Sequence, residues 1–305
     1  MKNYLLLSLL FTVFYSCDVV ETPYMNDAGT TPIDTSSAFV QKILVEDFTG
    51  HTCQNCPSAA VELKNLQDLY GDKVIGIAIH SGGFAEPEDL TSNKFTYDFR
   101  TAAGNDYYST FEIVGLPIGL VNRIGYPDNT HKKNWAEWQG FVQSALEKTP
   151  KLGIIIDSKM NGGRTGNVDI SIEVLEELSG LYYLVVCLTE NNIINWQKDG
   201  ANDNEFYEHE HVLRAALGNS WGELLKTDQN FAIGETLAKT YAINLDDLEE
   251  DNIDHSLNPT LPVKPGNGNA GGWKKQNMHV VAYVYSANNT GQYEILQVQD
   301  AHLNN

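Results

Sequence analysis

Positive charge is scarce in this chain of 305 residues. Twenty Lys and Arg stand against 40 Asp and Glu, a formal net charge of -20. An acidic surface of that kind repels phosphate backbones, which argues against nucleic acid as a partner. Long apolar runs are also missing: after the first 16 residues none approaches the roughly 20 consecutive apolar residues that a membrane helix needs. Cysteine is limited to four positions, Cys17, Cys53, Cys56 and Cys187. No second C-x-x-C and no H-x-x-x-H accompanies Cys53 and Cys56, so neither a zinc site nor any other metal or cofactor is expected. What remains is ordinary globular material, 42% hydrophobic and 20% charged, in a length that suits about two domains.

The amino terminus has its own character. Met1-Lys2-Asn3 carries one positive charge, and Tyr4 to Tyr15 is almost unbroken apolar sequence. That run is short for a membrane span and fits the apolar core of a signal peptide. It ends at Phe14-Tyr15-Ser16-Cys17, which resembles the bacterial lipoprotein processing box, with Phe14 where Leu is usual. Residues 1–17 are therefore expected to be a lipoprotein signal, with Cys17 as the lipidated residue and the membrane as a partner through that anchor. Each buried methylene of an acyl chain contributes about 0.8 kcal/mol, so two or three chains hold stably. Residues 18–38, rich in Thr, Ser, Asp and Pro without apolar periodicity, read as a tether.

Residues 39–150 read as an α/β domain. Gln41 to Phe48 has a strand pattern, and Thr49-Gly-His-Thr52 a turn. From Pro57 the period becomes helical, with Ala59, Leu63, Leu66 and Tyr70 on one face and Gly71 at the carboxyl end. Lys73 to His80 is nearly continuous apolar sequence, as in a parallel strand buried on both faces. The three form a βαβ unit. Residues 86–110 look inserted and partly helical, Leu116 to Arg123 starts another strand, and Asn134 to Glu147 is an amphipathic helix.

Cys53 and Cys56 fall between the first strand and the first helix. Unpaired amides at a helix start stabilise a thiolate, the reactive form of cysteine, and lower its pKa as a leaving group. Cys53 would attack and Cys56 resolve. Two further residues suit a thioredoxin-like site: Pro117, where such folds place a cis-proline beside the disulfide, and Asp47, six residues before Cys53, where a buried acid could exchange a proton with the resolving thiol. Glu46 could equally be the inward-pointing acid. Thr52 and the Gln54-Asn55 pair depart from typical thioredoxins. His51 and His80 read as surface or structural histidines near the motif, and Cys187 as a small buried hydrophobe.

Val45-Glu-Asp-Phe-Thr-Gly-His-Thr-Cys-Gln-Asn-Cys-Pro57, Ile77-Ala-Ile-His80 and Leu116-Pro-Ile-Gly-Leu-Val-Asn-Arg123 together resemble the outer membrane protein 28-related lipoproteins of Bacteroidetes. The likeness is clearest over about residues 40–125. It continues more weakly at Glu208-His-Glu-His-Val-Leu-Arg214, His279 to Tyr285 and Ile295 to Val298. The resemblance implies an outer-membrane lipoprotein with a thioredoxin-like domain followed by a β-sandwich. It carries the cysteine pair onto Cys53 and Cys56 and assigns nothing catalytic to the second half.

Beyond Pro150, strand-like runs recur at residues 151–157, 166–173, 181–189, 238–243, 278–285 and 293–298, separated by turn clusters. Residues 151–305 therefore read as an all-β, immunoglobulin-like sandwich with long insertions near 191–235 and 246–275. His209 and His211 alternate in a possible strand, so both would face one side and, with Glu205 or Glu208, could hold a metal; a polar strand face, or histidines buttressing Arg214, is the plainer reading. The oxygen-rich stretch Asp199 to Glu205 reads as a solvated loop, and the acidic run Asp246 to Asp254 as a solvated face. Two functions follow: thiol–disulfide exchange on envelope or secreted proteins, or a non-catalytic binding or assembly lipoprotein in which Cys53–Cys56 is a structural disulfide.

Overall fold

The computed structural model describes residues 39–258, 264–288 and 292–303. The expected signal peptide, Cys17 and the tether lie outside the described residues. The expected boundary at 150 falls in the short link before β4, defined below.

The βαβ unit comprises β1 (Ile43–Thr49), α1 (Cys56–Tyr70) and β2 (Val74–His80). After it come α2 (Ala102–Thr110), β3 (Ile118–Val121) and α3 (Trp138–Leu146). Pro57 occupies the first turn of α1, and Gly71 follows the helix at φ +64°, a conformation that favours glycine. Thr101 caps α2 by accepting from the amide of Gly104, and Asn134 and Glu137 form a capping box ahead of α3. These local signals explain why each helix starts where it does. β1 runs parallel to β2 and antiparallel to β3, with Phe48 opposite Ile118. The peptide bonds Leu116–Pro117 and Tyr126–Pro127 are cis.

The second half contains β4 (Leu152–Met160), β5 (Thr165–Val174), β6 (Leu178–Ser179), β7 (Tyr182–Glu190), β8 (Ile193–Asp199), β9 (Asn202–His209) and β10 (Val212–Ala216). It continues with β11 (Glu223–Leu224), β12 (Asn230–Phe231), β13 (Thr236–Asn244), α4 (Leu245–Leu257), β14 (Met278–Ser286) and β15 (Ile295–His302). The acidic run lies on α4, where Asp246, Asp247, Glu250, Asp251 and Asp254 are exposed, so it is the solvated face of a helix. Asn244 caps that helix, and Asp246 and Asp247 sit in its first turn, where the helix dipole favours negative charge.

Strands of both halves share one sheet, in the order β15-β14-β7-β10-β2-β1-β3, with β11 also paired to β7. The link is β10, which is antiparallel to β7 and meets β2 in a parallel pairing of Val212 with Ala78. A second sheet, β13-β5-β4, packs on the β7–β14–β15 region. Beyond residue 151 the chain is therefore β-rich, with two sheets packed together, one of which runs on into the βαβ unit. Leu152, Ile170, Leu184, Val186, Val280 and Val284 fill the space between them. Each such buried side chain contributes about 1.5–3 kcal/mol.

The halves are also joined by polar groups. Gln297 of β15 is buried; its side-chain amide donates to the carbonyls of Val40 and Leu152, and its Oε1 accepts from Lys42 N, all at 3.0 Å. Arg123, in the turn that follows β3, forms a forked pair with Glu46 of β1 at 2.6 and 2.8 Å and donates to the Tyr283 hydroxyl of β14 at 2.9 Å. Both members of this ion pair are fully buried, and the rings of Tyr107, Phe111 and Tyr283 surround the guanidinium.

Candidate functional site

β1 ends at Thr49, and the turn through Gly50, His51 and Thr52 leads to Cys53. Cys53 and Cys56 form a disulfide with Cα atoms 5.5 Å apart. Cys56 is the first residue of α1, so the pair lies at the helix amino terminus. Cys53 N donates to Gly50 O at 3.0 Å and Cys56 N to Cys53 O at 3.3 Å, which closes the loop tightly. Gly50 must be glycine: a Cβ there would lie 2.5 Å from the backbone of Phe84.

Alternation along β1 sorts the two acids. Ile43, Val45 and Asp47 point toward the layer of α1 and α3, whereas Leu44, Glu46 and Phe48 point to the opposite face. Glu46 is consumed by Arg123. Asp47 is 2% exposed, its Oδ1 has no hydrogen-bond partner among the described residues, and burial pushes its pKa up to about 7. Pro117 immediately precedes β3. Because Phe48 pairs with Ile118, Pro117 stands at the same end of the sheet as the turn that leads into the disulfide.

Three histidines gather behind the motif. His51 is buried, with its Nε2 3.1 Å from the carbonyl of Glu86. His80 stacks on Phe99 at 4.5 Å and lies 5.5 Å from the ring of His209. Burial holds the pKa of His51 down at about 4 and that of His209 at about 3, and lowers that of His80 well below the ordinary range. His51 and His80 are therefore structural and not at the surface. His209 and His211 do not share a face. β9 ends at His209, and His211, at φ +56°, turns its ring to Gln67 at 3.1 Å. Among the described residues no cluster of His, Cys, Asp and Glu is placed to hold a metal. Cys187 is free and fully buried, its thiol pKa pushed up to about 12.

Sequence reading missed the strands that cover the motif. Residues 193–209 form a β-hairpin, β8–β9, with a two-residue turn at Gly200-Ala201. Asp199-Gly200 is a hairpin signal, but its oxygen-rich surroundings read as a loop. Lys198 N donates to His51 O at 2.7 Å, and Gly200 N to Gln54 O at 2.9 Å. The side-chain amide of Gln197 reaches Gly50 O at 3.3 Å and Cys53 O at 3.1 Å. Beneath this strap Cys53 is 3% exposed and Cys56 1%.

A family model described as outer membrane protein Omp28 matches residues 104–257, half of the chain. The chain belongs to this family. Membership assigns this Omp28 chain to the outer membrane, in keeping with the lipoprotein signal expected at its amino terminus. No helix among the described residues is long and apolar enough to cross a membrane. The matched stretch lies largely beyond the segments around Cys53 that carried the resemblance.

Among solved structures, HBP35 of Porphyromonas gingivalis is similar over 87% of this chain and 76% of its own, at 17% identity and a TM-score of 0.61. A protein of Agrobacterium tumefaciens is similar over 87% of this chain and 96% of its own, at 13% identity and a TM-score of 0.50. Both likenesses concern the fold alone. No curated protein matches the chain.

Proposed function

We propose that this Omp28 chain is a lipoprotein anchored at Cys17 that exchanges its Cys53–Cys56 disulfide with thiols of envelope proteins. In this reading residues 39–150 form a thioredoxin-like half and residues 151–305 an immunoglobulin-like half. The observation that carries it is the disulfide at the amino terminus of α1, with Asp47 on the face of β1 that supports that helix. A client thiolate attacks Sγ of Cys53, and the S–S bond breaks. Cys56 leaves as a thiolate, stabilised by the helix start, and takes a proton from Asp47, whose raised pKa keeps a proton available near neutrality. A second client thiol then attacks the mixed disulfide and releases Cys53. The client has lost two electrons, and the cysteine pair has gained them. Pro117 borders the site where a client backbone would lie.

A second reading is favoured by one specific observation, the strap that leaves Cys53 3% exposed. There the disulfide only pins the turn to α1, and the chain binds a partner without exchange.

Exchange is reversible, so the test runs it from the other side: express the intact lipoprotein with Cys56→Ser in its native envelope, where the free Cys53 thiol attacks client disulfides and no resolving thiol releases them, and separate Cys53 adducts without reductant. Discrete, reductant-sensitive adducts support exchange. An unreacted Cys53, together with an unmutated disulfide that resists dithiothreitol in the folded protein, supports the structural reading.

A further inference from the structure

A cavity of about 520 Å³ lies between α1 and β9. It exists because the sheet is low beneath it. Asp47 and Ala78 are cross-strand neighbours on the floor, and Gly76 precedes Ala78 on the same face of β2. Ala60, Val61 and Leu63 of α1 form one wall, and Phe206 and Tyr207 of β9 the other. Val61 is 60% exposed and Phe206 74%, an unusual pair of large apolar side chains left at the mouth of an apolar cleft.

The charge in this cavity is one-sided. Asp47 is almost fully buried, with an unpartnered Oδ1, and Glu208 and Glu210 stand on the lining. The ammonium of Lys64 is engaged with Asp68 at 2.9 Å. His211 bonds Gln67, and burial lowers its pKa to about 4, so it is neutral at physiological pH. A buried carboxylate without a partner is costly, and a donor arriving from a ligand removes that cost. The volume falls within the roughly 300–1,000 Å³ of small-molecule sites.

We propose that this cavity binds a small organic cation, with its ammonium or amidinium head on Asp47 and its apolar body between Val61 and Phe206. An anion is disfavoured by Asp47, Glu208 and Glu210, and a purely apolar molecule would leave the Asp47 oxygen unpaired. The site stands on residues of α1, β1, β2 and β9 and does not depend on exchange at the disulfide.

The experiment is calorimetric titration of the intact protein with 2-phenylethylamine, with 2-phenylethanol and phenylacetate as neutral and anionic controls of similar size. The amine should bind saturably at one site, and the controls at least about tenfold more weakly. Asp47→Asn should weaken the amine about tenfold or more. Phe206→Ala, at an exposed position that the fold does not need, should weaken it severalfold. From pH 8 to pH 6 the amine stays charged while Asp47 takes up a proton, so affinity should fall about tenfold. The other titratable groups around the cavity are Lys64, Tyr207, Glu208, Glu210 and His211. Of these, Glu210 is raised by burial, and Glu210→Gln should leave the pH profile in place. A Cys53→Ser, Cys56→Ser protein should bind unchanged, which separates this site from any failure of exchange. No binding of the amine, equal binding of phenylacetate, or indifference to both Asp47→Asn and pH would overturn the proposal. If Asp47→Asn fails to fold, Phe206→Ala and the pH profile of the unmutated protein decide it.

Discussion

The side-chain amide of Gln197 donates to the carbonyl oxygen of Cys53 at 3.1 Å, across 144 positions of sequence. The same amide reaches Gly50 O, so a single side chain from β8 ties down both ends of the turn that presents the disulfide. A two-stranded ribbon is marginal alone, and β8–β9 keeps its place through contacts of this kind. Lys94 adds an ion pair to Asp203 at 2.8 Å.

Gln197→Ala should therefore loosen the strap. Losing these bonds costs about 1 kcal/mol, which raises the population of the opened hairpin about fivefold. The check is the rate of Cys53–Cys56 reduction by dithiothreitol in the folded protein, which should rise by a similar factor. An unchanged rate would mean that the strap does not limit access.

Asp47 predicts a particular pH dependence. Its pKa is raised from 3.8 in the unfolded chain to about 7 in the folded one, so the folded state holds the extra proton between those values. Its contribution to stability is fully present below about 4, declines as pH rises toward 7, and is flat above. The span is on the order of 4 kcal/mol. Urea unfolding of the unmutated protein and Asp47→Asn from pH 4 to 8 should show a gap that widens up to pH 7 and then stops.

The histidine cluster acts with the opposite sign. His51, His80 and His209 are held neutral by burial, so the unfolded chain binds protons that the folded one refuses as pH drops below 6.5. Stability present above 6.5 is lost on acidification. Neither ring nitrogen of His80 has a hydrogen-bond partner among the described residues, and the ring stacks on Phe99. His80→Phe should keep the stacking and reduce the loss between pH 7 and pH 5 by roughly 2 kcal/mol, read from denaturation midpoints.

The Glu46–Arg123 pair should behave as a buried unit. Glu46→Leu or Arg123→Met alone leaves an uncompensated buried charge and should cost about 3–5 kcal/mol. Glu46→Leu with Arg123→Met should recover most of that loss. Thermal unfolding of the two single variants and the double variant forms the cycle that checks it.

Local chemistry wrote much of this fold into the chain. The apolar runs at Val74 to His80 and 151–157 mark strands by their β-branched residues, and the stretch at 166–173 by an alternation that matches the two-residue repeat of a pleated backbone. Pro57 and Gly71 bracket α1 because one suits a first turn and the other a left-handed exit. Cys53 and Cys56 lie three positions apart at the start of that helix, a spacing that needs no distant partner to form a disulfide. Tertiary structure alone decided the rest. Asp47 and Glu46 are adjacent acids on one strand, and only Arg123, arriving from the turn after β3, separates the ion-paired one from the orphan. The strap over Cys53, the parallel contact of Val212 with Ala78 that joins both halves in one sheet, and the cleft above Ala78 are all meetings of segments more than a hundred residues apart. Hydrogen bonds and packing across such separations obey no period along the chain. Periodicity therefore identifies the strands and helices, while their neighbours are chosen by burial and by which polar groups find partners once the chain has closed.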